Sequence, residues 1–178
     1  MELIRSNIEN LFTYYNKNSI DFRGAFIKVF QKSYFKDIPK YDVHEQYFSI
    51  SKKNVIRGMH FQERPFDHSK IVTCVKGKAL DVIIDLRKSS SSFLEIESFE
   101  ISSDNKLSIF IPPGCAHGFL SLEEDTILLY NVSSEYSPKH DTGIHYNSFG
   151  FNWPINKPIV SERDDKLVFL SEYKTKFI

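Results

Sequence analysis

Ser108-Ile109-Phe110-Ile111-Pro112-Pro113-Gly114-Cys115-Ala116-His117-Gly118-Phe119-Leu120-Ser121-Leu122 reads as a strand, a forced turn and a second strand. The apolar run 108–111 stops at two prolines and a glycine, which end strand pairing and turn the chain. Residues 119–122 then resume an apolar strand pattern. His117 falls at the start of that second strand among small and apolar neighbours. A packing role and a chemical role are equally open for it.

The same punctuation continues outward. Val72 to Val75 is a short β-branched run that precedes Gly77. Leu80 to Leu86 is apolar almost throughout, the pattern of a strand buried on both faces. Leu94 to Glu97 alternates, and so does Phe99 to Ile101; Ser98 between them shifts the phase and predicts a bulge. Ser89 to Ser92 is expected to be a solvated turn, and Thr126 to Val132 another strand. Helix signals are brief: one over Ile8 to Tyr15, one opening at Asp164 and running to Ser171. Short strands at close spacing with Gly/Pro turns predict an all-β fold, a jelly-roll β-barrel with a few short peripheral helices. No linker, repeat or low-complexity block divides residues 1–178, so a single domain is expected.

Composition narrows the function classes. Hydrophobic residues make up 41% of the 178, enough for a real core. Sixteen Phe and nine Tyr favour strands. The 23 basic and 23 acidic residues cancel, which removes the electrostatic reason to expect nucleic acid or an anionic membrane as partner. Met1 to Asn10 contains no apolar run of the kind a secretory signal needs, and no stretch approaches the roughly 20 apolar residues of a membrane span. The expectation is a soluble cytoplasmic protein. Its two cysteines, Cys74 and Cys115, are read as reduced and packed inside.

Four local features could carry chemistry. In Asn54-Val55-Ile56-Arg57-Gly58-Met59-His60-Phe61-Gln62, His60 and Gln62 share a strand face. Arg57 is three residues from His60, so a regular strand would set them on opposite faces unless Gly58 hosts a bulge. Taken alone, His60 reads first as a hydrogen-bonded core histidine. Lys70 opens the run Lys70-Ile71-Val72; such lysines are usually solvated, but one reaching into a barrel can stabilise an enolate oxygen. His117 follows its turn. Tyr130, in Leu128-Leu129-Tyr130-Asn131, and Tyr136, in Tyr136-Ser137-Pro138, read as ordinary packing when taken alone.

Together these segments resemble the dTDP-4-dehydrorhamnose 3,5-epimerase family, whose members are cupin-like. Arg23-Gly24-Ala25-Phe26 is similar to its early Arg-Gly-Phe-Phe, and Val55 to Gln62 to its Val-Leu-Arg-Gly-Leu-His-Tyr/Phe-Gln. Lys70-Ile71-Val72, Asp81 to Arg87, Ile111 to Phe119, Leu129-Tyr130 with Tyr136-Ser137-Pro138, Trp153-Pro154 and Val160 to Asp164 match further family segments in order and spacing. The resemblance covers roughly residues 1 to 165. It implies His60 as catalytic base, Asp164 as the carboxylate that orients it, Lys70 beside the sugar's C4 oxygen and Tyr130 as acid from the opposite face. It further implies that Arg57, Gln62, His117, Glu45 and Tyr136 contact substrate. Arg23 and Lys28 fall in the nucleotide-binding part, and a homodimer shares the early strands between subunits. Metal-binding cupins usually offer a His-x-His pair; here it would be His60-Phe61-Gln62, so the second histidine is missing and no metal is expected.

The implied reaction suits these side chains. A C4 ketone acidifies the hydrogens on C3 and C5, and imidazole is a base of the right strength to take them near neutral pH. The enolate wants a fixed positive group, and inversion wants a proton donor on the other face. No metal, flavin or nicotinamide is needed, and no Gly-rich dinucleotide loop is present. The pattern departs from the family in its recognition residues. Lys28 stands where a glutamate is usual and Ser19 where a phenylalanine is. Glu45-Gln46-Tyr47-Phe48-Ser49 replaces Gln-Asp-Asn-His-Ser, and Asn131 replaces a common lysine. The expected substrate is therefore a nucleotide-linked 4-keto-6-deoxy sugar carried on dTDP, or alternatively on CDP or GDP, with inversion at C3, C5 or both. A 3,4-ketoisomerase is the nearest other enzyme, and a sugar- or nucleotide-binding cupin without catalysis is the alternative of another class.

Overall fold

A computed structural model of the chain describes residues 2–35, 38 and 41–178. Two antiparallel sheets form the body. The first has six strands: β1 (Ile4–Arg5), β2 (Phe12–Tyr15), β5 (Glu45–Ser51), β7 (Lys70–Lys76), β10 (Leu107–Ile111) and β12 (Thr126–Val132). Their order is β1-β2-β10-β7-β12-β5, so β5 is an edge. The second sheet has β6 (Ile56–Gln62), β8 (Lys78–Asp85), β9 (Ile96–Ser102), β11 (Cys115–Ser121) and β13 (Asp141–Gly143), in the order β13-β6-β11-β8-β9. A separate hairpin, β3 (Lys17–Asp21) with β4 (Gly24–Lys28), pairs with neither sheet, and every residue of it is exposed.

From β5 to β13 the chain changes sheet at every junction except β8–β9. The Pro112-Pro113-Gly114 turn therefore crosses from one sheet to the other rather than closing a hairpin. Gly77 makes a second crossing, between β7 and β8, at φ 75°, and a Cβ there would sit 2.7 Å from the Thr126 hydroxyl oxygen. Only glycine reaches that conformation cheaply.

The sheets face each other across one apolar core. Val72, Leu128 and Tyr130 come from the first sheet, Ile83, Ile101 and Phe119 from the second. Leu80 to Leu86 behaves as its pattern predicts: Ile83 enters this core, while Val82 and Ile84 face outward under a cover of Phe149, Trp153, Tyr173 and Phe177. Residues from Ile144 onward thus roof the outer face of the second sheet. Tyr14, Phe35, Tyr41 and Phe110 make an aromatic cluster on the outside of the first. Each large side chain so buried contributes about 1.5–3 kcal/mol. Cys74 and Cys115 are both buried and free.

Four local expectations are corrected. Residues 8–15 are not helical: Asn10 turns at φ 61°, and Phe12-Thr13-Tyr14-Tyr15 is strand β2, as its aromatic and β-branched residues favour. No bulge occurs at Ser98, because β9 pairs with β8 in unbroken register from Ile84↔Ile96 to Lys78↔Ser102. The phase break arises earlier, where Leu94 turns at φ 67° before the strand begins. The serine run does turn, but Ser92 is buried and donates its hydroxyl to Asp85 at 2.7 Å. The helix near Asp164 is one turn, α1 (Glu162–Asp165), and does not reach Ser171. Among the described residues it is joined by a single 3-10 turn, Lys32–Phe35.

Candidate active site

A cavity of about 370 Å³ opens between the two sheets at one end of the body. Strand alternation decides who enters it. On β5, Glu45, Tyr47 and Ser49 line it; on β7, Lys70; on β11, His117 and Phe119; on β12, Tyr130 and Val132. On β6, both Arg57 and His60 line it, although they are three apart. The register explains this: His117 pairs with His60 and Phe119 with Arg57, so three steps on β6 oppose two on β11. That extra residue is a bulge at Gly58, which has φ 135°. A Cβ there would lie 2.5 Å from the Gly118 Cα.

His60 is oriented from behind. Its Nε2 lies 2.8 Å from Asp164 Oδ1, and the Gly58 N–H donates to Asp164 Oδ2 at 3.1 Å. Asp164 is 4% exposed. Burial pushes its carboxyl up, but the hydrogen bond and charge of His60 and the Gly58 N–H outweigh that and hold it below the usual carboxylate range. Helix α1 delivers it: the Ser161 hydroxyl accepts from the Asp164 N–H at 3.1 Å as N-cap. Because a carboxylate only accepts, Nε2 carries the hydrogen and Nδ1 keeps the lone pair that a base needs.

Lys70 reaches inward. It is 7% exposed and donates to the His60 carbonyl at 3.2 Å. Burial pulls its ammonium down to about 8, against the carboxylates of Asp141 and Asp81. Tyr130 is buried, and burial first, then the charge of Asp81, pushes its phenol well above the ordinary value. It therefore stays protonated. His117 is buried and bound through Nε2 to Asp81 Oδ2 at 2.8 Å, a second histidine–carboxylate pair deeper in the core.

The remaining predicted residues divide. Tyr136 lies at the cavity rim, and its N–H donates to Glu45 Oε2 at 2.8 Å. Gln62 lines the cavity, but its amide braces the scaffold: Nε2 donates to the Phe66 carbonyl at 2.8 Å, and Oε1 accepts from the Ser137 N–H at 2.6 Å. Arg23 and Lys28 stand outside the cavity on the β3–β4 hairpin, Arg23 paired with Asp21 at 2.7 Å and Lys28 donating to Gln31 at 3.2 Å. Tyr47 and Ser49, from the segment that departs from the family pattern, also line it, as do His68, Asp141 and Arg163, which were not foreseen. Arg163 and Asp141 form an ion pair at 2.7 Å. Burial and the Lys70 charge pull the His68 imidazole down to about 3, so it is neutral.

The model of the family described as dTDP-4-dehydrorhamnose 3,5-epimerase matches residues 5–172. This chain belongs to that family. Like the rest of the family it is an isomerase with a cupin-like jelly-roll fold. It is 36% identical over 177 residues to the dTDP-4-dehydrorhamnose 3,5-epimerase of Escherichia coli, covering 97% of this chain and 96% of that protein. The Bacillus anthracis dTDP-4-dehydrorhamnose 3,5-epimerase, solved with TDP and pyrophosphate bound, superposes with a TM-score of 0.91 at 32% identity, over 95% of this chain and 99% of that one. The Legionella pneumophila dTDP-6-deoxy-D-glucose-3,5-epimerase, solved with dTDP-4-keto-L-rhamnose, gives 0.91 at 28% identity over 97% and 94%. Among the described residues of this epimerase, no helix is long and apolar enough to cross a membrane.

Proposed function

We propose that this chain, as a single domain over residues 1–178, inverts C3 and C5 of a dTDP-linked 4-keto-6-deoxy hexose in cytoplasmic deoxysugar synthesis. The observation that carries the reading is the convergence of the His60–Asp164 pair, Lys70 and Tyr130 on one cavity. His60 takes the proton from the carbon beside the ketone, and the C–H electron pair moves into the C4 carbonyl as an enolate. Asp164 stabilises the imidazolium. The Lys70 ammonium, dry and close by, offsets the charge on the enolate oxygen. Tyr130 then gives its proton to the opposite face of the carbon and regains one from solvent, while His60 releases its own. dTDP is the preferred carrier because the Bacillus anthracis and Legionella relatives were solved with TDP and a dTDP-sugar.

The β3–β4 hairpin supports a homodimer. Phe22 is 98% exposed at its tip, with Ile20 and Phe26 exposed beside it. Strand β5 presents an open edge with Tyr47, Phe48 and Ile50 exposed. Exposed edges and apolar hairpins of this kind are normally covered. A hairpin laid on the partner's β5 would bring Arg23 and Lys28 to the partner's cavity.

Proton NMR in heavy water tests the reaction. Incubation with dTDP-, CDP- and GDP-4-keto-6-deoxy sugars should give loss of hydrogen at C3 and C5 with the dTDP sugar. His60→Ala should abolish it while circular dichroism stays unchanged. Undiminished exchange in His60→Ala would remove His60 from the mechanism. Conversion to a 3-keto isomer would make the enzyme a ketoisomerase, and tighter use of CDP or GDP would overturn the choice of nucleotide.

A further inference from the structure

Tyr47 stands directly opposite Tyr130 in the β5–β12 register. The two phenol rings stack with centroids 4.9 Å apart and 19° between planes. On another side of Tyr130, the His117 imidazole meets it edge-on at 6.2 Å and 66°. His117 is itself held by Asp81. Tyr130 is thus confined between a ring that is buried and anchored and a ring on the open edge strand, 41% exposed.

From this geometry we propose that Tyr47 is a positioning residue, whose ring holds the Tyr130 phenol in the one orientation that can protonate the carbon face opposite His60. The proposal rests on the epimerase reading and deepens it. A tyrosine hydroxyl lies at the end of a long lever from its backbone, so a small change of side-chain torsion displaces it by more than a proton transfer tolerates. Proximity effects are that steep: a misplacement of ~1 Å can cost about 100-fold. Offset and stacked aromatic pairs are favourable beyond the area they bury, so the Tyr47 face opposes such a swing. Although part of Tyr47 is open to solvent, desolvation of its enclosed side and then the charges of Glu45 and Asp141 push its phenol above the ordinary value, so it stays neutral beside Tyr130.

Two half-reactions separate positioning from general damage. The ring of Tyr47 stacks on Tyr130 while His60 is held by Asp164, so on this proposal proton removal and return on the His60 face survive the loss of Tyr47. Inversion needs Tyr130. In Tyr47→Ala, deuterium should still enter from heavy water, while inversion events per exchange event fall about tenfold or more. Tyr47→Phe, which keeps the ring, should restore the ratio to within about twofold of the wild type. An unchanged ratio in Tyr47→Ala overturns the proposal, and so does a Tyr47→Phe ratio as low as that of Tyr47→Ala. A substrate-free measurement runs beside it: NMR of ring-labelled tyrosine should show the Tyr130 ring signals moving on Tyr47→Ala, as a stacked ring current is lost. Tyr130 signals that do not move overturn the stack. Wild-type enzyme giving neither exchange nor inversion with any 4-keto sugar fails the epimerase reading instead, and the ring signals still decide the stack.

Discussion

At the scale of single residues, Lys70 shows what the site asks of the fold. An ammonium inside a barrel is costly to bury, and burial brings its pKa from 10.5 to about 8. If the charged form stabilises the enolate, kcat should fall as pH rises through about 8, with Tyr130 still protonated. Folding stability should move the other way. Between about 8 and 10.5 the unfolded chain binds more protons than the folded one, so stability from this group rises with pH across that window. Rate profiles and melting curves over the same buffers check both slopes, and a flat kcat from pH 7 to 9 would remove Lys70 from the charge-stabilising role. The sequence places His60, Lys70 and Tyr130 on strands, but taken alone each reads as packing or solvated; their roles, like that of Asp164, come only through the resemblance, and no local spacing links Asp164 to His60. Asp81 was visible in principle: a carboxylate inside the run Leu80 to Leu86, buried on both faces, must be paired, and its partner is His117. Tyr47 and Ser49 needed only the alternation that starts at Glu45. His68 needed the loop that carries it, which has no periodicity to read.

At the scale of elements, the bulge at Gly58 decides whether the site assembles. Without it, Arg57 would turn away from His60, and the N–H that braces Asp164 would be misplaced. Gly58→Ala meets backbone at 2.5 Å and a φ of 135° together. It should cost about 2–4 kcal/mol, from backbone strain plus overpacking. Urea unfolding checks this as a lowered midpoint at unchanged slope; a midpoint equal to the wild type would mean that the bulge is absent in solution. The strands themselves were legible because their apolar runs end at Gly and Pro. Residues 8–15 misled because Ile8, Leu11 and Phe12 fall at helical spacing. That spacing arises from a turn whose Ile8 and Leu11 plug the core before β2 begins. The mispredicted bulge at Ser98 has the same origin, a turn residue read as strand.

For the whole molecule, the sequence pattern predicts a jelly-roll barrel but not which strand ends on which edge, since edges are set by pairing between distant segments. That is why the free hairpin and the open β5 edge appear only in the structure. Sedimentation at micromolar concentration should give a dimer, and Phe22→Asp should shift it toward monomer. A wild-type monomer at that concentration would count against hairpin exchange. The roof built by residues beyond Ile144 has a consequence for how the enzyme comes into being. The strands that wall the cavity lie between β5 and β12 and are synthesised before α1, the last element in the chain order. A nascent chain halted before α1 therefore has its substrate pocket within reach but holds His60 without its carboxylate. On the proposed mechanism, chemical competence arrives only when the tail docks, and a chain whose α1 is held away from His60 should bind its sugar without turning it over.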